Sequence, residues 1–227
     1  MPNLLEVKMN KKATLIDRTL VITTLLCLLP LVFSALVYED LPEQVAIHFD
    51  VHGVADNYAS KAFAAFGLPI LLALMNVLLQ IALTSDPKRD PSAKIYTLSR
   101  WILAPLSLFT SSLTLLIALG HPIKVERIVP LFVSIILLLI ANYLPKCKQN
   151  YTIGIKLPWT LASQTNWRKT HRLAGWLYCI ISIIFILSII LNWNVAFIFF
   201  IGLALMLIVP VVYSFFYHLR HPAIDTE

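Results

Sequence analysis

Six apolar runs, each close to the length that crosses a bilayer as a helix, constrain this chain more than any motif does. They cover residues 19–38, 62–84, 101–120, 128–144, 173–191 and 195–217. A helix needs about 20 apolar residues to span the hydrocarbon. None of the six contains Asp, Glu, Lys, Arg or His except near its ends. The composition agrees, with 59% hydrophobic and 13% charged residues in 227. Soluble globular chains are roughly half apolar and a quarter charged. A large soluble core is excluded, and the expected fold class is an all-α polytopic membrane protein with six transmembrane helices. The first run follows a basic leader, but it is long for a signal peptide. The site after Val32-Phe33-Ser34 is also a poor small-residue match, so the run is expected to stay as the first helix. The three cysteines, Cys27, Cys147 and Cys179, include no C-x-x-C pair. Their odd number argues against a disulfide framework, and they read as small apolar packing residues.

The connections set the orientation. Of the 18 Lys and Arg, only Lys61, Lys124 and Arg127 fall on the side of the first, third and fifth connections. The positive-inside rule puts that side outward and both termini in the cytoplasm. The expected organisation is then a cytoplasmic tail at 1–18 and a two-helix unit at 19–84 with an outward loop at 39–61. Helices three and four lie within 85–144. A unit at 145–217 follows, made of a cytoplasmic elbow at 145–172 and helices five and six, and a cytoplasmic tail closes the chain at 218–227. The fifth and sixth runs are joined by Asn192-Trp193-Asn194, which allows only a tight hairpin.

The outward loop reads as a small β-hairpin. Val45, Ile47 and Phe49 alternate with Gln44, Ala46, His48 and Asp50, as in a half-buried strand. Gly53 supplies a turn, residues 54–58 can return as a second strand, and Ser60 can cap the second helix. The loop holds Glu39, Asp40, Glu43, Asp50 and Asp56 against Lys61 alone. His48, Asp50, His52 and Asp56 raise the question of a metal. Two histidines four apart on a strand lie about 13 Å from each other, too far for one ion without a turn. No metal site and no cofactor are expected. The competing reading is a turn in which Asp or His side chains tie down backbone donors near Gly53. A ligand-sensing surface is a third.

The elbow places cations and three tryptophans between two apolar runs. Trp159, Trp167 and Trp176 suit the headgroup region, where a ring is buried and its N–H stays wet. Lys146, Lys148, Lys156, Arg168, Lys169 and Arg172 suit an anionic inner leaflet. Ser163 precedes a helix-compatible stretch, along which Trp167, His171, Ala174 and Tyr178 share one face and Arg168 and Arg172 the next. Lipid anchoring does not account for Asn150, Thr160, Ser163, Thr170 and His171 crowded together. They read as a network that holds a defined shape.

The same stretch resembles the SdpI family of bacterial membrane proteins. The residues that carry the resemblance are Asn142-Tyr143, Pro145, Asn150, Gly154-Ile155-Lys156, Pro158-Trp159-Thr160-Leu161, Trp167, Thr170-His171-Arg172 and Gly175. In the outward loop, Leu41-Pro42, His48-Phe49, Gly53, Asp56 and Ser60-Lys61 resemble the uncharacterised domain common at the N-terminal end of that family. Asn166 departs from the pattern, because relatives often carry an acidic residue there. The resemblance implies immunity to a secreted, membrane-active peptide toxin. It also implies signalling by recruitment of a cytoplasmic repressor, with no direct nucleic-acid binding and no catalytic step. The candidate residues of the outward loop, toxin-sensing or structural, are Pro42, His48, Phe49, Asp50, Gly53, Asp56 and Lys61. A small-molecule or peptide transporter is the alternative. The runs offer it only uncharged polar groups such as Asn76, Gln80 and Asn142, whereas coupled carriers hold ionisable ones. A membrane enzyme would have to use His48, Asp50, His52 or His171, and no nucleophile–base pair stands near them.

Overall fold

The computed structural model describes residues 17–221. Six helical segments are long and apolar enough to cross a membrane: Arg18–Asp40, Phe63–Ser85, Lys94–Ala118, Val125–Lys146, Gln164–Ile190 and Val195–Arg220. They are called spans one to six. Large apolar side chains point away from the protein on every span, Leu36, Leu78 and Leu207 each being two-thirds exposed or more. That is how a surface facing lipid is built, and with these six helices it makes the chain a multi-pass membrane protein. The expected tail at 1–18 falls almost wholly outside the described residues.

Spans one, two and three pack together, as do four, five and six. Close approach in the first group uses small side chains, with Cys27, Ala73 and Ala104 buried at one contact. The Ser34 hydroxyl donates to the Ala65 carbonyl at 2.6 Å and the Ser107 hydroxyl to the Cys27 carbonyl at 2.8 Å. Such bonds between helices replace the hydrophobic drive that lipid removes. In the second group Phe185 fits against Gly202, where a methyl group would overlap its ring. Phe109 and Phe132 stack at 3.9 Å and link the two groups.

The third span begins well before the expected Trp101, and Arg100 lies inside it. Arg100 makes a forked pair with Asp17, Nη1 to Oδ2 at 2.7 Å and Nη2 to Oδ1 at 2.6 Å. Its Nε–H donates to Gln80, whose own Nε2 returns a bond to the Arg100 carbonyl. Gln80 and Asn76 both donate to Thr23. Asn76 and Gln80, which the sequence offered as isolated polar groups, belong to one network at the foot of the first three spans. The Arg100 guanidinium holds the Asp17 carboxyl below its usual range.

The first connection is the expected hairpin. Strand β1, Gln44–Phe49, pairs antiparallel with β2, Ala55–Ser60. Val45 is buried as expected, but Ile47 is exposed. The register skips at Ile47, between Ala46 and His48, and this bulge turns the side chain outward. Ser60 accepts from the Phe63 N–H at 3.3 Å, as a helix cap. The fifth connection is the expected tight hairpin, with Asn192 left-handed at φ 55° and Asn194 capping span six.

Candidate functional site

Two polar constructions stand at opposite ends of the bundle. The hairpin end also holds the start of span four, since a side chain at Gly53 would meet the Glu126 carboxylate. The elbow follows span four and lies at the other end.

At the hairpin, Asp50 Oδ1 accepts from the His52 and Val54 N–H groups, both at 2.8 Å. Gly53, at φ 78°, closes the turn with its N–H on the Asp50 carbonyl. The carboxylate is therefore tied up locally, and bonds from the Val54, His52 and Gly53 N–H groups hold its pKa below the usual range. His48 Nδ1 meets Asp56 Oδ1 at 2.5 Å across the strands, both side chains remaining largely exposed. Lys61 pairs with Glu43 at 2.8 Å and lies over the Tyr38 ring. Pro42 is exposed at the entrance to β1. Phe49 and Asp50 line a cleft of about 160 Å³ with Val125, Glu126, Phe199 and Phe200. Among the described residues no three His, Cys, Asp or Glu side chains converge as metal ligands would.

The elbow is built around buried polar side chains. Its first part folds on Asn150, which is buried. Asn150 Oδ1 accepts from the Thr152 and Ile153 N–H groups, and its Nδ2 donates to the Lys148 carbonyl. Gly154 follows at φ 112°, a conformation that L side chains rarely adopt, and a methyl group there would overlap His171 Nε2 and the Trp167 ring. The backbone thus passes directly over span five. The His171 ring is fully buried and stacks on Trp167 at 4.0 Å. Its Nε2 accepts from the Ile155 N–H at 3.0 Å, and its Nδ1 lies 2.8 Å from the Trp167 carbonyl. A carbonyl only accepts, so Nδ1 carries the proton and the ring is neutral.

A short helix, Pro158–Ala162, follows. Thr160 reaches back to accept from the Leu157 N–H at 2.9 Å and donates to the Ile155 carbonyl at 2.8 Å. Trp159 Nε1 donates to Ser214 on span six. Ser163 caps span five by accepting from the Asn166 N–H. The Asn166 side chain, nearly fully buried, donates to the Ser214 carbonyl and accepts from Thr170. The residue that departs from the family pattern is therefore a tie between spans five and six. Gly175 admits Pro145, which packs where its Cβ would stand. Lys156, Arg168 and Arg172 are exposed, and Asn142 faces outward from span four. Lys156 Nζ donates to the Thr152 carbonyl, and Lys169 lies over the Tyr217 ring.

Trp167 departs from the headgroup position expected of it. It is 1% exposed, and its Nε1–H donates to the Cys147 carbonyl at 2.8 Å. A buried donor satisfied by protein has no need of an interface. Trp176, 65% exposed, does present its ring outward.

The second connection, which sequence reasoning did not mark, holds the elbow from the side. Asp86 is 5% exposed and accepts from the Lys88 and Tyr151 N–H groups and the Thr152 hydroxyl, each at 2.8 Å. Burial alone would raise its pKa, but these donors outweigh it and hold the carboxyl below its usual range. Asp90 pairs with Lys148 at 2.8 Å, and that ammonium with the Ser92 hydroxyl brings its pKa down to about 2. Burial pushes the Cys147 thiol up to about 11, so it is inert packing rather than a nucleophile. The sequence did carry a signal for this clasp, in two Asp-Pro turns, Asp86-Pro87 and Asp90-Pro91, but nothing in it named the partners.

Comparison with known proteins matches the elbow and the last two spans, residues 146–214, to the SdpI/YfhL protein family. That segment is where the chain is similar to the family. Residues 25–73, which contain the hairpin, match a domain of unknown function (DUF1648). The chain is 28% identical over 199 residues to "Immunity protein SdpI" of Bacillus subtilis (strain 168), covering 87% of this chain and 95% of that one. No solved structure matches. The SdpI-family motif residues serve one construction here. Asn150, Gly154, Thr160, Thr170 and His171 hold the elbow's shape, while Lys156 and Arg172 stand on its surface.

Proposed function

We propose that this protein protects its cell from a secreted, membrane-active peptide toxin and reports the toxin to a cytoplasmic repressor, with no catalytic step. The observation that carries this reading is the likeness to Immunity protein SdpI across nearly the whole of both chains. In this reading the hairpin faces outward and meets the toxin, and the elbow faces the cytoplasm and docks the repressor. The distribution of Lys and Arg supports that orientation. The elbow suits docking because its exposed cations sit on a backbone fixed from beneath. Arg172 is one residue beyond the buried, hydrogen-bonded His171 and has no carboxylate partner among the described residues, so its guanidinium is available to a partner's carboxylate.

The experiment pairs survival with reporter induction. Cells deleted for this gene should die in co-culture with their toxin-secreting parent and fail to induce a reporter under the repressor. Wild-type protein restores both. Arg172→Lys keeps charge but loses the fork, and should restore survival without induction at matched protein level. Undiminished survival of the deleted cells would end the immunity reading. Normal induction by Arg172→Lys would end the docking role of the elbow.

A further inference from the structure

Between the second connection and the elbow the surface opens into a cleft of about 660 Å³, within the size range of ligand sites. Its walls carry Lys88, Arg89, Lys146, Lys148 and Arg168 against Asp90. The nearby carboxylates are already committed: Asp90 to Lys148 and Ser92, and Asp86 to the three donors named above. Some of the cations are also engaged. Arg89 donates to the Thr84 carbonyl, and Lys88 lies over the Tyr151 ring. Lys146 has only a ring beside it, that of Tyr143, and Arg168 has no acidic partner among the described residues. The cleft therefore keeps a surplus of positive charge that the protein does not neutralise.

Its position says which anion fits. The cleft lies where spans two, three, four and five end or begin, at Ser85, Lys94, Lys146 and Gln164. Those ends mark the level of the lipid headgroups. Span five points its first turn toward it, with Gln164 in the wall and no acidic residue in that turn to occupy the positive end of the helix dipole. We propose that this cleft binds the phosphate headgroup of an anionic membrane lipid, with Arg168 and Lys146 as its principal contacts. Arg168 supplies the planar fork that meets phosphate oxygens two at a time, and Lys146 a point charge. Basic pockets between spans are a recurring form of headgroup site. The site does not depend on the immunity reading or on which way the chain faces.

The test is a titration of the detergent-solubilised full chain with phosphatidylglycerol and with phosphatidylcholine, the bound lipid counted by native mass spectrometry. The wild type should retain phosphatidylglycerol selectively. A near-surface cation changes binding by roughly fivefold, so the double variant Lys146→Gln/Arg168→Gln should bind it about 30-fold more weakly. A second double variant, Lys156→Gln/Lys169→Gln, removes as much charge from outside the cleft and should bind as the wild type does. Thermal unfolding in phosphatidylcholine alone should give one midpoint for all three proteins, which shows that the variants fold. Equal losses in the two double variants would reduce the site to general attraction and overturn the proposal. So would displacement of the lipid by millimolar glycerol phosphate, which would make the ligand a soluble phosphate. Preferential binding of a polyglutamate peptide over phosphatidylglycerol would overturn it in favour of an acidic protein partner.

Discussion

The neutral His171 ring fixes a chain of consequences at the scale of single residues. Its Nε2 is an acceptor only while unprotonated, and it holds the Ile155 N–H immediately after the left-handed Gly154. Gly154→Ala would force a strained φ and push a methyl group into that ring, at a cost of about 1–3 kcal/mol for the backbone alone. Thr160→Val keeps the shape of the side chain and leaves the Leu157 N–H without its acceptor, again about 1–3 kcal/mol. Both should lower the thermal midpoint in detergent, while Lys156→Gln, at an exposed position, should leave it unchanged. Equal midpoints for Gly154→Ala and the wild type would mean that the elbow is not packed on span five. The sequence showed these residues as a crowd of polar groups, which the structure turns into a network. It could not show that Trp167 belongs inside it. An indole is equally at home in a headgroup layer and in a core that accepts its N–H, and the deciding acceptor, the Cys147 carbonyl, lies 20 residues away.

The second connection and the hairpin are elements whose stability and role can be tested separately. Asp90 titrates near 2 in the folded protein against an ordinary 3.8. A carboxyl with a depressed pKa contributes its stabilisation in full above the unfolded value and loses it as pH falls through the folded one. The clasp between 86–90 and the elbow should therefore loosen between about pH 4 and pH 2. Hydrogen exchange of the amides at 86–93 would report it, and Asp90→Asn should reduce the pH dependence within that window, leaving only the share that Asp86 contributes. At the hairpin, one histidine and one aspartate form the exposed pair, fewer than the four ligands of a structural zinc. His48→Ala or Asp56→Ala should impair survival under toxin while the protein still inserts, and the purified protein should hold no stoichiometric zinc. One tightly bound zinc lost in His48→Ala would defeat that prediction. Strand periodicity and the Gly53 turn made the hairpin legible in advance. The bulge at Ile47 was not, because it depends on how β1 lies against span three. The start of span three was also missed. Arg100 looked like the charged edge of an apolar run, and Asp17, 83 residues earlier, together with Gln80 lets it sit inside the helix.

At the scale of the whole molecule, the two three-span groups meet few partners outside themselves, and the hairpin and the elbow each draw on both. The hairpin belongs to spans one and two, yet its turn rests on Glu126 of span four. The elbow belongs to spans four and five, yet it is clasped by Asp86 and Asp90 beyond span two. A displacement of one group against the other is therefore felt at both ends. That coupling serves signalling only if the ends face opposite compartments. Charge supports the assignment, since the hairpin end holds only Lys61, Lys124 and Arg127. Moving the charged elbow across instead would oppose the insertion bias. Cysteine placed at Asn57, exposed on β2, should be labelled in intact cells by an impermeant thiol reagent. Cysteine at Lys169, exposed on the elbow side of span five, should be labelled only after permeabilisation. The background must first lose Cys27, Cys147 and Cys179, of which the first two are buried and the third half-buried. Labelling of 169 but not 57 in intact cells would invert the chain, put the elbow beyond the reach of any cytoplasmic repressor, and leave the hairpin without access to a secreted toxin.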